Sequence, residues 1–217
     1  MNKFFSPTRL LSYGLTAILL LNASLCFAAE ENLNFMMLSS SKNIGNGYTL
    51  IGAAGDIHEE FAGKVAYLGV AKKAASDLVW RAGYFGYYPK SINSNGYRED
   101  HRLRGSLSYT VKLDEWKLMH RSRVEYRMGQ VSTGLRYRPA VELSRTLSVA
   151  QSMLIPYIEV EPFYDFHADK LTLTLLTAGV KWPVTPNIIL NIGHMNVFLN
   201  EEHRHVKGPI LGLHIKL

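Results

Sequence analysis

The chain is nearly devoid of cysteine. Its 217 residues include a single one, Cys26, which lies in an N-terminal segment that we expect to be removed. A mature chain without thiols excludes disulfide bonds, thiolate zinc sites and a cysteine nucleophile. A strong excess of one charge is also missing, because losing Lys3 and Arg9 from 24 basic residues leaves 22 against 18 acidic ones. This small balance predicts no nucleic-acid partner.

Residues 1–28 have the composition of a cleaved secretory signal. Positive charge at Lys3 and Arg9 precedes the apolar run "LLSYGLTAILLLNASL", and "CFA" ending at Ala28 provides small residues for cleavage. The alternative is a membrane-spanning helix, which needs about 20 mostly apolar residues; polar or small residues interrupt this run at Ser12, Gly14, Thr16 and Asn22. A lipoprotein signal at Cys26 is disfavoured by the bulky Leu25. We predict that residues 29–217 form one exported domain.

The mature chain also lacks any apolar stripe with helical spacing. Apolar and polar residues alternate instead, and turn-forming or charged residues interrupt them every 10 to 15 positions, which is typical of β-strands. Ten strands are predicted, at 47–57, 62–72, 77–88, 100–113, 115–128, 132–145, 153–166, 171–183, 186–198 and 208–217. The apolar piece "LNFMML" at 33–38 is either a further strand or an N-terminal segment against the barrel. Strands 171–183 and 186–198 alternate poorly, so their registers stay open.

Several features favour an antiparallel transmembrane β-barrel of about ten strands, with twelve possible. The segments exceed the roughly 9–11 residues that a tilted strand needs to cross a bilayer. Short connections, "KAASD", "KLDE" and "VTP", alternate with the long polar "PKSINSNGYRED". That pattern fits an even-stranded barrel with short periplasmic turns and both termini in the periplasm.

Aromatic residues cluster near both ends of the predicted strands. All three tryptophans lie beside short turns, and tyrosine or phenylalanine lies toward the opposite ends, as in the two aromatic girdles of an outer-membrane barrel. The alternative is that aromatic residues simply favour strands. The predicted girdle residues are Trp80, Tyr84, Tyr88, Trp116, Tyr126, Tyr164, Phe166, Trp182 and Phe198.

Charged residues are concentrated on one face of the central strands. In "HRSRVEYRM", residues 120–128, arginine or glutamate occupies every second position. One Arg or Lys facing mid-bilayer lipid costs about 2–4 kcal/mol, so this face is expected to point into the lumen. There, Arg–carboxylate pairs would satisfy one another and fill a narrow barrel. The predicted lumen cluster comprises Arg102, Arg104, Lys117, Arg121, Arg123, Glu125, Arg127, Arg136, Arg138, Glu142, Glu159, Glu161 and Asp165.

The same central strands resemble a known family. "HRLRGSLSYTV", "HRSRVEYRM" and "GLRYRPAVEL", followed by "YIEVEPFYDF", are similar to domain of unknown function 2490, an uncharacterised bacterial family grouped with outer-membrane β-barrels. The likeness covers roughly residues 33–198, and "HRSRVEYR" followed by "RYR" is its most specific part. It implies a location in the outer membrane and a barrel fold, but it names no activity. Such barrels generally end in an aromatic residue, whereas this chain ends in Leu217.

Candidate catalytic groups are sparse. Barrel enzymes that hydrolyse lipid A or phospholipid pair histidine with serine, but "GHMN" places Met195 and Asn196 after His194. Glu159 and Glu161 share one strand face and would suit acid–base work, although neutralisation by arginine is favoured. His203 and His205 offer two imidazoles to a metal without a further ligand nearby, and "GNG" at 45–47 indicates a turn rather than a phosphate loop.

These patterns predict a non-enzymatic outer-membrane barrel of a Gram-negative bacterium. Its Arg/Glu-filled lumen would be structural or a narrow, porin-like path for a small anionic solute. Expected partners are outer-membrane lipid, lipopolysaccharide and the barrel-assembly machinery; no cofactor or metal is expected. The alternatives are an outer-membrane lipid-processing enzyme and a soluble, periplasmic, lipocalin-like binder.

Overall fold

The computed structural model describes residues 33–91, 96–150, 152–200 and 204–217. The signal predicted at 1–28 lies outside the described residues. The strands are β1 (Leu33–Gly45), β2 (Tyr48–Glu59), β3 (Gly63–Lys73), β4 (Leu78–Pro89), β5 (Asp100–Leu113), β6 (Trp116–Gly129), β7 (Gly134–Tyr137), β8 (Ala140–Arg145), β9 (Leu147–Val149), β10 (Ser152–Asp165), β11 (Lys170–Thr185), β12 (Ile188–Leu199) and β13 (Arg204–Lys216). Within these ranges, no helix is long and apolar enough to cross a membrane.

The strands form a closed ring. Each of β1 to β6 pairs with the next strand, β6 pairs with β7 and β8, and β10 pairs with β7, β8, β9 and β11. Together β7, β8 and β9 occupy one position in the ring, interrupted beside Pro139, which has no N–H to donate to the ladder. The described residues therefore build an eleven-position barrel, and the predicted all-β barrel is confirmed.

The barrel closes through its first and last strands, and they run parallel. Phe35 pairs with Ile210, and the register continues to Ser41 opposite Lys216. The segment at 33–38, left open by the sequence pattern, is thus part of strand β1. The expected even strand number does not hold, because β1 adds an eleventh position. As a consequence β1 begins at one rim of the barrel and β13 ends at the other, rather than both lying on the same side.

The two rims differ in their connections. At one rim, which we call the short-turn rim, five connections contain two to four residues each. One is the Asn46–Gly47 turn, where positive φ angles of 51° and 77° produce the tight reversal of a hairpin. At the other, the long-loop rim, connections contain three to ten residues, and the longest joins β4 to β5.

Successive side chains alternate between the inside and outside of the barrel. On β5, Leu103 and Leu107 are 52% and 48% exposed on the outside, whereas Ser108 is buried on the inside. The same alternation resolves β11 and β12, whose registers the sequence left open. Thr177 of β11 and Val197 of β12 are buried inside, and Ile192 of β12 is exposed outside.

An apolar cluster fills one side of the interior near the long-loop rim. Its buried members, Leu33, Val197 and Val206, come from β1, β12 and β13. Further side chains pack against them from β2, the β2–β3 connection, β11 and β12: Ile57, Phe61, Leu173, Leu175, Met195 and Leu199. This cluster packs against the parallel seam, so closure of the ring and burial of apolar surface occur at the same place.

Candidate functional site: the charged interior

The other side of the interior is lined by charged residues. The inward positions of β5 to β10 carry all thirteen residues predicted for the lumen cluster: Arg102, Arg104, Lys117, Arg121, Arg123, Glu125, Arg127, Arg136, Arg138, Glu142, Glu159, Glu161 and Asp165. The structure brings twelve of them into ion pairs. Lys117 lies nearer the short-turn rim, directly opposite Lys112 in the ladder.

Glu125 is the centre of this network. Its side chain is 0% exposed, and its carboxylate lies 2.6 Å from Arg104 and Arg136 and 2.7 Å from Arg138. Arg136 and Arg138 donate hydrogen bonds to it. The close approach of Arg104 Nε lacks hydrogen-bond geometry, so this contact is an electrostatic pair. One fully buried carboxylate therefore compensates guanidinium groups from β5 and the β7–β8 region.

Arg138 links this centre to a second carboxylate on a distant strand. Its two terminal nitrogens donate to Glu125 Oε1 at 2.7 Å and to Glu161 Oε2 at 2.9 Å. Glu161 also lies 3.1 Å from Arg121 and 3.4 Å from Arg123. Because a planar guanidinium presents donors in fixed directions, Arg138 can bridge a carboxylate of β6 and one of β10 at the same time.

A third group of ion pairs lies at the long-loop rim. Arg102 donates to Asp100 at 2.5 Å, and Arg127 pairs with Asp165 and donates to the Thr133 carbonyl oxygen at 2.9 Å. Together with the Glu125 and Glu161 pairs, these residues form what we call the closed cluster: Asp100, Arg102, Arg104, Glu125, Arg127, Arg136, Arg138, Glu161 and Asp165.

Two phenylalanine rings support the closed cluster from either side. The guanidinium carbon of Arg104 lies 3.4 Å from the centroid of the Phe85 ring on β4. That of Arg138 lies 3.8 Å from the centroid of Phe163 on β10. Stacking on an aromatic face stabilises a guanidinium while leaving its edge free for carboxylates. Neither ring contact was expected from the sequence.

Exposure of the inward charges increases toward the short-turn rim. The Arg127 and Arg138 side chains are 6% and 8% exposed, Arg121 and Arg123 are 16% and 18% exposed, and Lys181 is 33% exposed. The charged interior is therefore shut at the long-loop rim and accessible to water from the other. We call the accessible part the open wall: Arg81, Lys112, Lys117, Arg121, Arg123, Glu142, Glu159 and Lys181.

The predicted lumen cluster left out four inward charges of the closed cluster and the open wall: Arg81, Asp100, Lys112 and Lys181. Asp100 keeps the alternation of Arg102 and was detectable, since it begins the same predicted strand. Arg81 on β4 and Lys181 on β11 lie in strands that carry apolar and small residues on both faces, which obscures the alternation. Only the pairing of the strands shows that these two side chains point inward. There, Arg81 donates to Ser108 and Lys181 donates to Glu142 at 2.7 Å.

The predicted girdle residues lie on the outer surface. Trp116 and Trp182 are 42% and 37% exposed near the short-turn rim, and Tyr126 and Phe166 are 52% and 51% exposed toward the long-loop rim. The remaining members, Trp80, Tyr84, Tyr88, Tyr164 and Phe198, occupy outward positions of their strands as well.

Histidine side chains contact two of the outer aromatic residues. The Tyr84 hydroxyl bonds to His101 Nδ1, and His101 Nε2 lies 3.2 Å from a Glu99 carboxylate oxygen. Phe198 stacks on His205 with centroids 4.7 Å apart. Aromatic residues with one apolar and one wet end are characteristic of membrane interfaces.

The candidate catalytic groups are dispersed or neutralised. His194 and Asn196 lie on the outer face of β12, where Asn196 bonds to His205 at 3.0 Å. Glu159 and Glu161 both lie within 3.4 Å of Arg121. His203 lies outside the described residues. In the part of the chain that the structure describes, no group of three or more acidic, histidine or cysteine side chains is placed to hold a metal.

Comparison with known proteins identifies a family without assigning an activity. The model of a family described as "Protein of unknown function (DUF2490)" matches residues 53–207. The match begins in β2 and ends in β13, and it includes every residue of the closed cluster and the open wall. No curated protein matches the chain.

Proposed function

Since the chain belongs to the DUF2490 family of proteins of unknown function, its role must be argued from its own surfaces, and we propose that it is an integral outer-membrane β-barrel. In this proposal the closed cluster is a structural filling rather than a pore lining. The short turns face the periplasm, as in bacterial outer-membrane barrels.

One observation carries the proposal: the polarity of the barrel is inverted relative to a soluble protein. Glu125 and Arg138 are buried inside, whereas Leu103, Ile192 and Leu211 are 52%, 53% and 47% exposed outside. Soluble monomers rarely expose apolar patches larger than a few hundred Å², and here exposed aliphatic residues occur around the whole ring. Surrounding hydrocarbon would cover them, which weighs against the lipocalin-like alternative.

The height of the outer apolar surface also fits a membrane. Outward residues from Leu103 to Leu113 on β5 span ten steps, or about 34 Å at roughly 3.4 Å per residue. A strand tilt of about 40° reduces this length to about 26 Å along the barrel axis, close to the apolar band of roughly 25 Å in outer-membrane barrels.

Closure of the interior supports a structural role over the porin-like one. The closed cluster and the apolar cluster both lie near the long-loop rim, and their buried members are shielded from solvent there. We expect the purified barrel to show negligible conductance in planar bilayers. A steady conductance of porin size would contradict the structural role while leaving the membrane location intact.

The membrane location is tested by placing one charge at two depths of the outer surface. Leu107→Arg faces the middle of the proposed bilayer and should cost about 2–4 kcal/mol, whereas Leu113→Arg near the short-turn rim should cost about 0–1 kcal/mol. Both side chains are exposed, at 48% and 57%, so a water-soluble barrel would tolerate both equally.

The measurement is the amount of each variant in carbonate-washed outer membranes and its heat-modifiable electrophoretic mobility. We expect the Leu107→Arg variant to be depleted and the Leu113→Arg variant to resemble the wild type. Recovery of the wild-type chain as free periplasmic protein, or equal amounts of both variants, would contradict the membrane location.

A further inference from the structure

The open wall carries a larger surplus of positive charge than the closed cluster. The closed cluster has five arginines and four carboxylates, Asp100, Glu125, Glu161 and Asp165, a surplus of one. The open wall has six cationic side chains and two carboxylates, Glu142 and Glu159, which pair with Lys181 and Arg121. Arg121 and Arg123 also pair with Glu161 of the closed cluster, so these six cations face three carboxylates in all. Uncompensated charge in an enclosed space is costly unless an opposite charge or water compensates it.

Arg81 is the clearest member of this surplus. It lies on an inward position of β4, and its terminal nitrogen donates to the Ser108 hydroxyl at 3.0 Å rather than to a carboxylate. The same Ser108 is opposite Arg121 in the ladder, so a second guanidinium group lies on the other side of this serine. Two like charges are thus held near each other on one wall, which is an arrangement that an anion between them would stabilise.

Small residues separate the arginines. Arg81 on β4 is opposite Ser106 on β5, and Ser106 is opposite Arg123 on β6. One step toward the short-turn rim, Ser108 is opposite Arg121. The ladder therefore places two serine hydroxyls between guanidinium groups on either side. Within the described residues Arg121 Nε has no hydrogen-bond partner, so one buried donor is still available at this place.

We propose that Arg81, Ser106, Ser108, Arg121 and Arg123 form a binding site for a small polyvalent oxyanion of the phosphate class. Guanidinium groups bind such oxygens with paired, charge-assisted hydrogen bonds, and hydroxyls supply further donors. Lys112 and Lys117 lie nearer the short-turn rim and would raise the local concentration of anions at the entrance. The binding site is argued from the barrel interior alone. Only the entry of the anion from the periplasm rests on the proposed function, which places the short turns on that side.

Matched variants separate this site from general surface charge. Arg81→Gln removes the guanidinium whose hydrogen bond, among the described residues, is to a neutral hydroxyl. Ser106→Asp places a carboxylate between Arg81 and Arg123, where it would occupy the site itself. Lys72→Gln is the control, because Lys72 lies outside the barrel with its ammonium nitrogen 4.6 Å from the centroid of the Tyr48 ring.

The experiment is a calorimetric titration of the folded full barrel, in phosphate-free detergent at low salt, with inorganic phosphate and separately with dihexanoyl phosphatidate. We expect the wild type and Lys72→Gln to bind equally. Arg81→Gln should weaken binding about tenfold or more, as expected for loss of hydrogen bonds from a charged donor. Ser106→Asp should abolish binding while raising the urea midpoint of unfolding, since it neutralises part of the surplus.

The two probes distinguish the source of the phosphate group. Binding of inorganic phosphate assigns the site to a free solute, and binding of phosphatidate alone assigns it to a lipid headgroup. Absence of binding by both probes, or equal binding by the wild type, Arg81→Gln and Ser106→Asp, would overturn the proposal. Because the titration is done in detergent, its failure would not affect the membrane location, which fractionation tests separately.

Discussion

Two clusters fill the same end of this barrel by opposite means. On one side, Leu33, Val197 and Val206 exclude water with aliphatic side chains. On the other, Glu125 and its arginines exclude it with paired charges. The stability of an apolar cluster depends mainly on the volume of its side chains, so apolar substitutions that preserve this volume cost little. The stability of an ionic cluster depends on every charged partner, because removing one leaves the opposite charges buried and unpaired.

The largest expected effect comes from removing the shared carboxylate. Glu125→Ala leaves Arg104, Arg136 and Arg138 without their common partner, and we expect it to lower the free energy of unfolding by about 3–5 kcal/mol. Urea unfolding of the barrel in detergent or vesicles measures this change.

The matched control for that variant lies at the same rim. Glu60 pairs with Arg204 at 2.6 Å, but their side chains are 30% and 44% exposed. Glu60→Ala should therefore cost at most about 1 kcal/mol. An equal decrease in the free energy of unfolding for the two variants would show that burial does not strengthen the Glu125 ion pairs.

Conservative substitutions provide an intermediate effect and sharpen the contrast. Arg138→Lys keeps the charge but loses the planar group that bridges Glu125 and Glu161, so it should cost about 1.5–3 kcal/mol. Leu33→Met keeps the apolar volume and should cost less than about 1.5 kcal/mol. The same unfolding measurement applies, and the reverse order would refute the distinction between an ionic and an apolar filling.

The smallest effect is expected at an exposed ion pair outside both clusters. Arg145 donates to Glu115 at 3.0 Å, and the two side chains are 41% and 62% exposed. Glu115→Gln should lower the free energy of unfolding by less than about 1 kcal/mol, and added salt should reduce the difference further. A salt-independent loss above that value would mean that exposure is a poor guide to the strength of this pair.

Much of the strand pattern was predictable because alternation is a local property. The predicted strands 100–113 and 115–128 nearly match β5 and β6, and the arginines at every second position indicated which side chains share a face. Arg81 and Lys181 were missed because their strands carry apolar and small residues on both faces, which removes the contrast on which the pattern depends.

The apolar cluster was missed for a different reason. Leu33 lies at the first position of β1, and Val206 lies before the last predicted strand, 208–217. Neither residue belongs to an alternating run long enough to stand out in the sequence. Their burial results from the parallel pairing of β1 with β13, which joins segments about as far apart as the chain allows.

The order of residues alone determined which side chains point the same way, since a strand alternates with a period of two whatever its partners are. It also determined that several arginines and carboxylates share one face of neighbouring strands. Tertiary structure alone decided that the ring has eleven positions, that Arg138 meets both Glu125 and Glu161, and that the charged interior is shut at one rim. These features depend on register between distant strands and on closure of the ring, and no local period specifies either.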